Sequence, residues 1–133
     1  MDQRKIVHYG EIYYMDLGQV QLGSRQAGIR PVLVVSSDHR NEYSPVVWVV
    51  IITSQIKRLD LKSHVLLPKV KGLPKQSVVE AEQLFTVDKS YLGEYRGKLD
   101  EKTMKRVDRA VRSCLHSPEH ARKFRRKRQR GKS

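Results

Sequence analysis

A single cysteine in 133 residues, Cys114, rules out an internal disulfide and any cysteine cage for a metal. Long apolar runs are missing too. The longest, residues 46–52, falls far short of the roughly 20 residues that a membrane-spanning helix needs. The first eight residues are charged and lack the apolar stretch and small-residue cleavage site of a secretory signal, so a cytoplasmic protein is expected. Neither Gly-x-Gly-x-x-Gly nor Gly-x-x-x-x-Gly-Lys-Ser occurs, which removes the common nucleotide-phosphate loops. The five histidines, His8, His39, His64, His116 and His120, are scattered without ligand spacing, and Glu80 and Glu82 read as two surface acids on one strand face. No cofactor or metal is therefore expected. Acids are in deficit: 14 Asp/Glu against 27 Lys/Arg leave a net charge of +13, which favours a polyanionic partner, most simply nucleic acid.

What is present is β-structure closed by one helix. Residues 11–17 predict a first strand with Ile12, Tyr14 and Leu17 inward. Residues 29–36 and 46–52 are β-branched runs too apolar for a half-exposed strand, so they are expected at the centre of a covered sheet. The polar residues 37–44 between them allow a short helical turn. Residues 64–67, 77–79 and 84–87 read as further short strands, the first two joined by a turn containing Pro68, Gly72 and Pro74. Asp100 is a suitable N-cap for a helix carrying Met104, Val107, Val111, Cys114 and Leu115 on its packed face and ending near Pro118. Cys114 is thus expected to be buried, and Tyr13, Tyr14 and Trp48 to serve in the core or a dimer interface. The implied fold class is β-rich α+β, a small and strongly curved antiparallel sheet with a C-terminal helix packed on it. Length sets one domain, with residues 1–8 an extension, 9–117 the folded unit and 118–133 a basic, flexible tail.

The most informative stretch is Gly23-Ser24-Arg25-Gln26-Ala27-Gly28-Ile29-Arg30-Pro31, which runs directly into an apolar strand. Its two glycines let the backbone bend and approach a ligand closely, and Arg30 sets a cation where the strand begins. The second central run ends in Thr53-Ser54-Gln55, a hydroxyl cluster at a sheet rim. An arginine facing hydroxyls suits a phosphate if the two strand ends meet.

In order and spacing, that stretch together with Ser44-Pro45, Ile52-Thr53-Ser54-Gln55, Ser63-His64-Val65 and residues 82–89 resembles the MazF/PemK/Kid toxins of bacterial type II toxin-antitoxin pairs. The resemblance spans roughly residues 10–115. It implies the SH3-like barrel of the CcdB, Kid and MazF group, a homodimer, an acidic antitoxin of the MazE/PemI kind as partner, and metal-independent, sequence-selective cleavage of single-stranded RNA. By the same resemblance, Arg30 and Thr53 fall at the catalytic arginine and threonine, and Glu82 and Gln83 near the RNA groove. Ser24, Arg25, Gln26, Ser54 and Gln55 carry polar groups suited to reading splayed bases.

Cleavage without a metal uses the substrate's own 2′-hydroxyl to attack phosphorus, leaving a 2′,3′-cyclic phosphate and a 5′-hydroxyl. It needs charge and donors on the non-bridging oxygens, a proton for the leaving oxygen and an acceptor for the nucleophile's proton. Arg30 suits the first two tasks but, with a pKa above about 12, not the last. His39, Asp38 and Glu82 stand as candidate bases.

This chain departs from many relatives by carrying Arg25 where they have an acid and Phe85 where they have a base, so base preference does not transfer. Two other functions compete: a CcdB-like gyrase poison acting by protein contact, and a small non-catalytic RNA-binding protein. Arg30 with Thr53 favours the nuclease, since the gyrase poison does not need that pair. From His116 onward the chain holds eight Lys/Arg against Glu119 alone, about half of the net positive charge. Deleting residues 120–133 should make the dependence of RNA affinity on salt shallower, by about 0.7 in log–log slope for each phosphate that the tail neutralises. An unchanged slope removes the tail from the RNA site.

Overall fold

The computed structural model describes residues 5–19 and 28–115. Six strands form one antiparallel sheet: β1 (Glu11–Asp16), β2 (Ile29–Val34), β3 (Val46–Thr53), β4 (His64–Leu66), β5 (Val78–Asp88) and β6 (Leu92–Lys98), in the spatial order β4-β5-β3-β2-β1-β6. Helix α1 (Asp38–Tyr43) joins β2 to β3, and α2 (Glu101–Leu115) follows β6. The apolar runs take the interior of the sheet as expected. Leu33, Val34, Val49 and Val50 are fully buried, and β2 pairs with β3 in the register Val32↔Ile51, Leu33↔Val50 and Val34↔Val49.

Both faces of this sheet are covered. On one, Ile12, Leu33, Val50, Ile52, Val65, Val79 and Ala81 pack with Met104, Val107 and Ala110 of α2. On the other, Tyr13, Met15, Val32, Val34, Val47, Val49, Ile51 and Val87 close over one another with Leu92 of β6. A face with no helix on it can be dry only if the sheet curls over itself, which is the curved antiparallel architecture expected from the sequence. Double coverage also explains a misplaced side chain in β1. Simple alternation put Tyr14 inside, whereas Tyr13 and Met15 are buried and Tyr14 is only partly covered.

The outer strands β4 and β6 are not hydrogen-bonded to each other; the segment between β4 and β5 brings the two sides together. Arg96 Nε of β6 donates to the Gly72 carbonyl at 2.8 Å, and Leu73 is buried in the helix-side core. Gly72 lies so close to β6 that a Cβ there would stand 1.5 Å from the Arg96 carbonyl oxygen.

Strand β6 itself was not anticipated. Its sequence, Leu-Gly-Glu-Tyr-Arg-Gly-Lys, buries little beyond Leu92, because an outer strand bonded only to β1 needs no apolar alternation. The separate strands expected at residues 77–79 and 84–87 are one long β5, with an irregularity opposite Val50 and Ile51 where the pairing shifts.

Helix α2 begins where Asp100 predicted: its Oδ1 accepts the Thr103 N–H at 2.7 Å. Thr103, Met104, Val107 and Ala110 are its buried residues. The last turn outruns the sheet. Leu115 is 70% exposed, and Cys114, expected in the packed stripe, is exposed as well, its thiol directed at the Ala110 carbonyl. No helix among the described residues is long and apolar enough to cross a membrane. Residues 1–4 and 116–133, with the basic tail, lie outside the described residues, as do residues 20–27.

Gly72→Ala should destabilise the fold by about 1–3 kcal/mol, the usual cost of overpacking a close contact. Urea unfolding checks this, and a variant with the wild-type midpoint would show that the segment is free to move off β6.

Candidate active site

The site begins with how β2 is entered. Gly28 adopts φ +84°, a left-handed conformation that side chains rarely take, and its carbonyl accepts the Leu17 N–H at 3.0 Å. Two residues later Arg30 pairs across to Met15 of β1. In β3 the continuous apolar run ends at Ile52, and the next residue, Thr53, pairs with Val78 of β5. The β2–β3 pairing ends at Val32↔Ile51, and Arg30 and Thr53 each lie two residues beyond that last pair, at neighbouring strand ends.

Both residues line one open cleft of about 650 Å³. Ser54 and Gln55 line it too, together with Tyr14, Lys57, Arg58, His64, Lys75 and Glu80. Its four Lys/Arg side chains against one carboxylate make it a cationic groove matched to phosphate. Arg58 is partly neutralised by Asp60, at 3.0 Å, whereas among the described residues no carboxylate pairs with Arg30. The Thr53 hydroxyl oxygen accepts the Gln55 N–H at 3.1 Å, which fixes the bend after β3 and leaves the hydroxyl proton free to donate outward.

The other sequence candidates separate. Ser24, Arg25 and Gln26 lie outside the described residues. Gln83 does not line the cleft, and Glu82 reaches it only through His64, whose Nε2 is 2.7 Å from Glu82 Oε1. Of the candidate bases, Asp38 and His39 belong to α1 and stay out of the cleft. Asp38 accepts the Tyr9 N–H at 2.7 Å, and the His39 ring packs 5.1 Å from that of Tyr43. Trp48, expected in the core or an interface, is 40% exposed beneath the Arg40 guanidinium.

Sequence reasoning missed Tyr14, Lys57, Arg58, Lys75, His64 and Glu80 as cleft residues. Lys57 and Arg58 follow Gln55 so closely that the motif could have been extended to them. His64 was read as a sheet residue, which it is, but β4–β5 pairing places it directly across from Glu80. The supposedly scattered histidines and surface acids thus include one convergent set: His64, Glu80 and Glu82 bring ligand-type atoms within 4.8 Å of one another. Burial pulls the His64 imidazole down, but the Lys57 carbonyl and the Glu82 and Glu80 carboxylates outweigh it and leave its pKa above the ordinary value. Burial, and then the neighbouring Glu82, push Glu80 above the usual carboxylate range.

Residues 8–115 match the family model described as the PemK-like, MazF-like toxin of type II toxin-antitoxin systems. The chain belongs to the PemK/MazF toxin family. Among its relatives, Endoribonuclease EndoA of Bacillus subtilis is 40% identical over 111 residues, which is 83% of this chain and 95% of that protein. Endoribonuclease MazF of Staphylococcus saprophyticus is 44% identical over 103 residues, covering 77% and 85% respectively. Among solved structures, a mycobacterial endoribonuclease in complex with its cognate antitoxin superposes with a TM-score of 0.70 at 27% identity, over 84% of this chain and 97% of that one. The curled sheet with a C-terminal helix is thus the fold of PemK/MazF toxins.

Thr53→Val should release the Gln55 amide. Its hydrogen exchange is expected to quicken roughly five- to tenfold, corresponding to the loss of one hydrogen bond of about 1 kcal/mol. Unchanged exchange would show that other interactions hold this bend.

Proposed function

We propose that this chain is the toxin of a type II toxin-antitoxin pair, an mRNA interferase that cuts single-stranded RNA without a metal. The supporting observation is that Arg30 and Thr53, at the ends of neighbouring strands, line one cationic cleft, in a member of a family whose relatives include named endoribonucleases. The scissile phosphodiester lies between them. Arg30 neutralises charge building on the non-bridging oxygens and hands a proton to the departing 5′-oxygen, while the Thr53 hydroxyl and its neighbour Ser54 donate to the phosphorane-like state. The 2′-hydroxyl of the preceding ribose attacks in line, and the products carry 2′,3′-cyclic phosphate and 5′-hydroxyl ends. The nucleophile's proton goes to a group on the β4–β5 wall rather than to Asp38 or His39, which lie outside the cleft.

Lys57, Arg58 and Lys75 extend the cationic path beyond the reacting phosphate and hold the strand through its backbone. Gln55, with Ser24, Arg25, Gln26, Glu82 and Gln83, reads bases along it. Residues 9–117 make up the catalytic unit, and the basic segment 118–133 adds phosphate contacts. The working form is a cytoplasmic homodimer held silent by an acidic antitoxin segment that competes with RNA for the groove, and release of the toxin arrests growth.

Purified protein incubated with a long single-stranded RNA in EDTA should yield mapped cyclic-phosphate ends. Arg30→Ala should lower the cleavage rate by about 10²–10³ or more, and Arg30→Lys should lose most cleavage while keeping part of the RNA affinity. RNA left intact by the wild-type protein, or a fully active lysine variant, would overturn this reading.

A further inference from the structure

His64, Glu80 and Glu82 stand on the wall that receives the nucleophile's proton, but they do not bind phosphate, and their own hydrogen bonding points to a second use of the wall when RNA is absent. His64 Nδ1 lies 2.9 Å from the Lys57 carbonyl, and a carbonyl can only accept, so Nδ1 carries a proton. That leaves Nε2 of a neutral ring with a lone pair, 2.7 Å from Glu82 Oε1, which when ionised also only accepts. Two acceptors facing each other at that distance need something positive between them. At this distance it is a second proton on the ring, and a cation taking its place would need the pair to open. A backbone carbonyl that fixes the Nδ1–H tautomer and presents Nε2 outward is how metal-binding histidines are held.

The carboxylates supply the remaining donors. Glu80 is the cross-strand partner of His64, and Glu82 stands two residues along the same face of β5. The His64 side chain is only 9% exposed, so the donor nitrogen is held by its surroundings, while Glu82 is open enough for an ion to enter. The three donor atoms lie within 4.8 Å of one another. An ion bound at about 2.0–2.2 Å needs them roughly 3.4 Å apart, so the His64–Glu82 pair must open from 2.7 Å and the wider gaps must close, both by rotation about the glutamate side-chain bonds.

We infer that His64, Glu80 and Glu82 form a binding site for one divalent transition-metal ion on the wall of the cleft, with water completing the coordination. One imidazole and two carboxylates select borderline ions such as Zn²⁺ and Co²⁺ over the hard Mg²⁺. The ion is a ligand of the wall, not the agent of phosphodiester cleavage.

The test uses the full chain without RNA, so its outcome does not depend on the nuclease reading. Titration with Co²⁺, followed by its visible absorption, and with Zn²⁺, followed by calorimetry, should show one site that excess Mg²⁺ does not displace. His64→Gln should abolish that site, and Glu80→Gln should weaken it about tenfold or more. Circular dichroism establishes that each variant is folded, and Glu80→Gln carries the test if His64→Gln is not. Absence of saturable binding would overturn the inference. So would binding of equal strength in wild type and folded variants, as expected if histidines elsewhere in the chain hold the ion.

Discussion

The pairing of β2 with β3 is the constraint on which the rest depends. Val32, Leu33 and Val34 opposite Ile51, Val50 and Val49 are buried on both faces, and a slip of one residue would exchange the two cores and turn every side chain of the strand over. The cost of such a slip is the burial of several β-branched side chains at once, which is why the register is firm. Arg30 and Thr53 inherit their relative placement from it. Neither residue needs a contact of its own to be positioned, because the apolar residues upstream and downstream do the positioning.

Curvature then turns a pair of strand ends into a cleft. A flat sheet would leave Arg30 and Thr53 on an open surface. Coverage of the second face by its own residues, with Leu73 anchored in the helix-side core and Gly72 pressed on the Arg96 carbonyl, folds the β4–β5 segment round so that Pro74 and Lys75 line one groove with Arg30. The basic lining is thereby assembled from β2, from the residues after β3 and from the residues before β5, three regions far apart in sequence.

How much of this was legible follows from what each region buries. The two central strands, the short helix between them and the Asp100 cap announced themselves, because continuous β-branched runs and a capping aspartate have few other uses. The placement of Arg30 and Thr53 in one cleft could be anticipated from the positions at which those runs begin and end. Strand β6 was illegible, since an outer strand with mostly exposed side chains leaves no hydrophobic period to read. Cys114 and Leu115 misled because helical spacing identifies a stripe but not where the supporting sheet stops. The convergence of His64 with Glu80 was hidden for a different reason: it depends on which strand lies next to which, a long-range fact that local pattern does not encode.

The Thr53 hydroxyl sits at the end of a rigid strand, whereas Ser54 and Gln55 belong to the turn that follows and Lys57, Arg58 and Lys75 to irregular segments. Under the proposed reading, chemistry and recognition are thus carried by parts of the chain with different tolerance for change. Strand ends locked by a buried register resist insertion and deletion, while connecting segments accept both. On that reading, exchanging connectors alone would change which message is destroyed while one inherited cutting apparatus is kept.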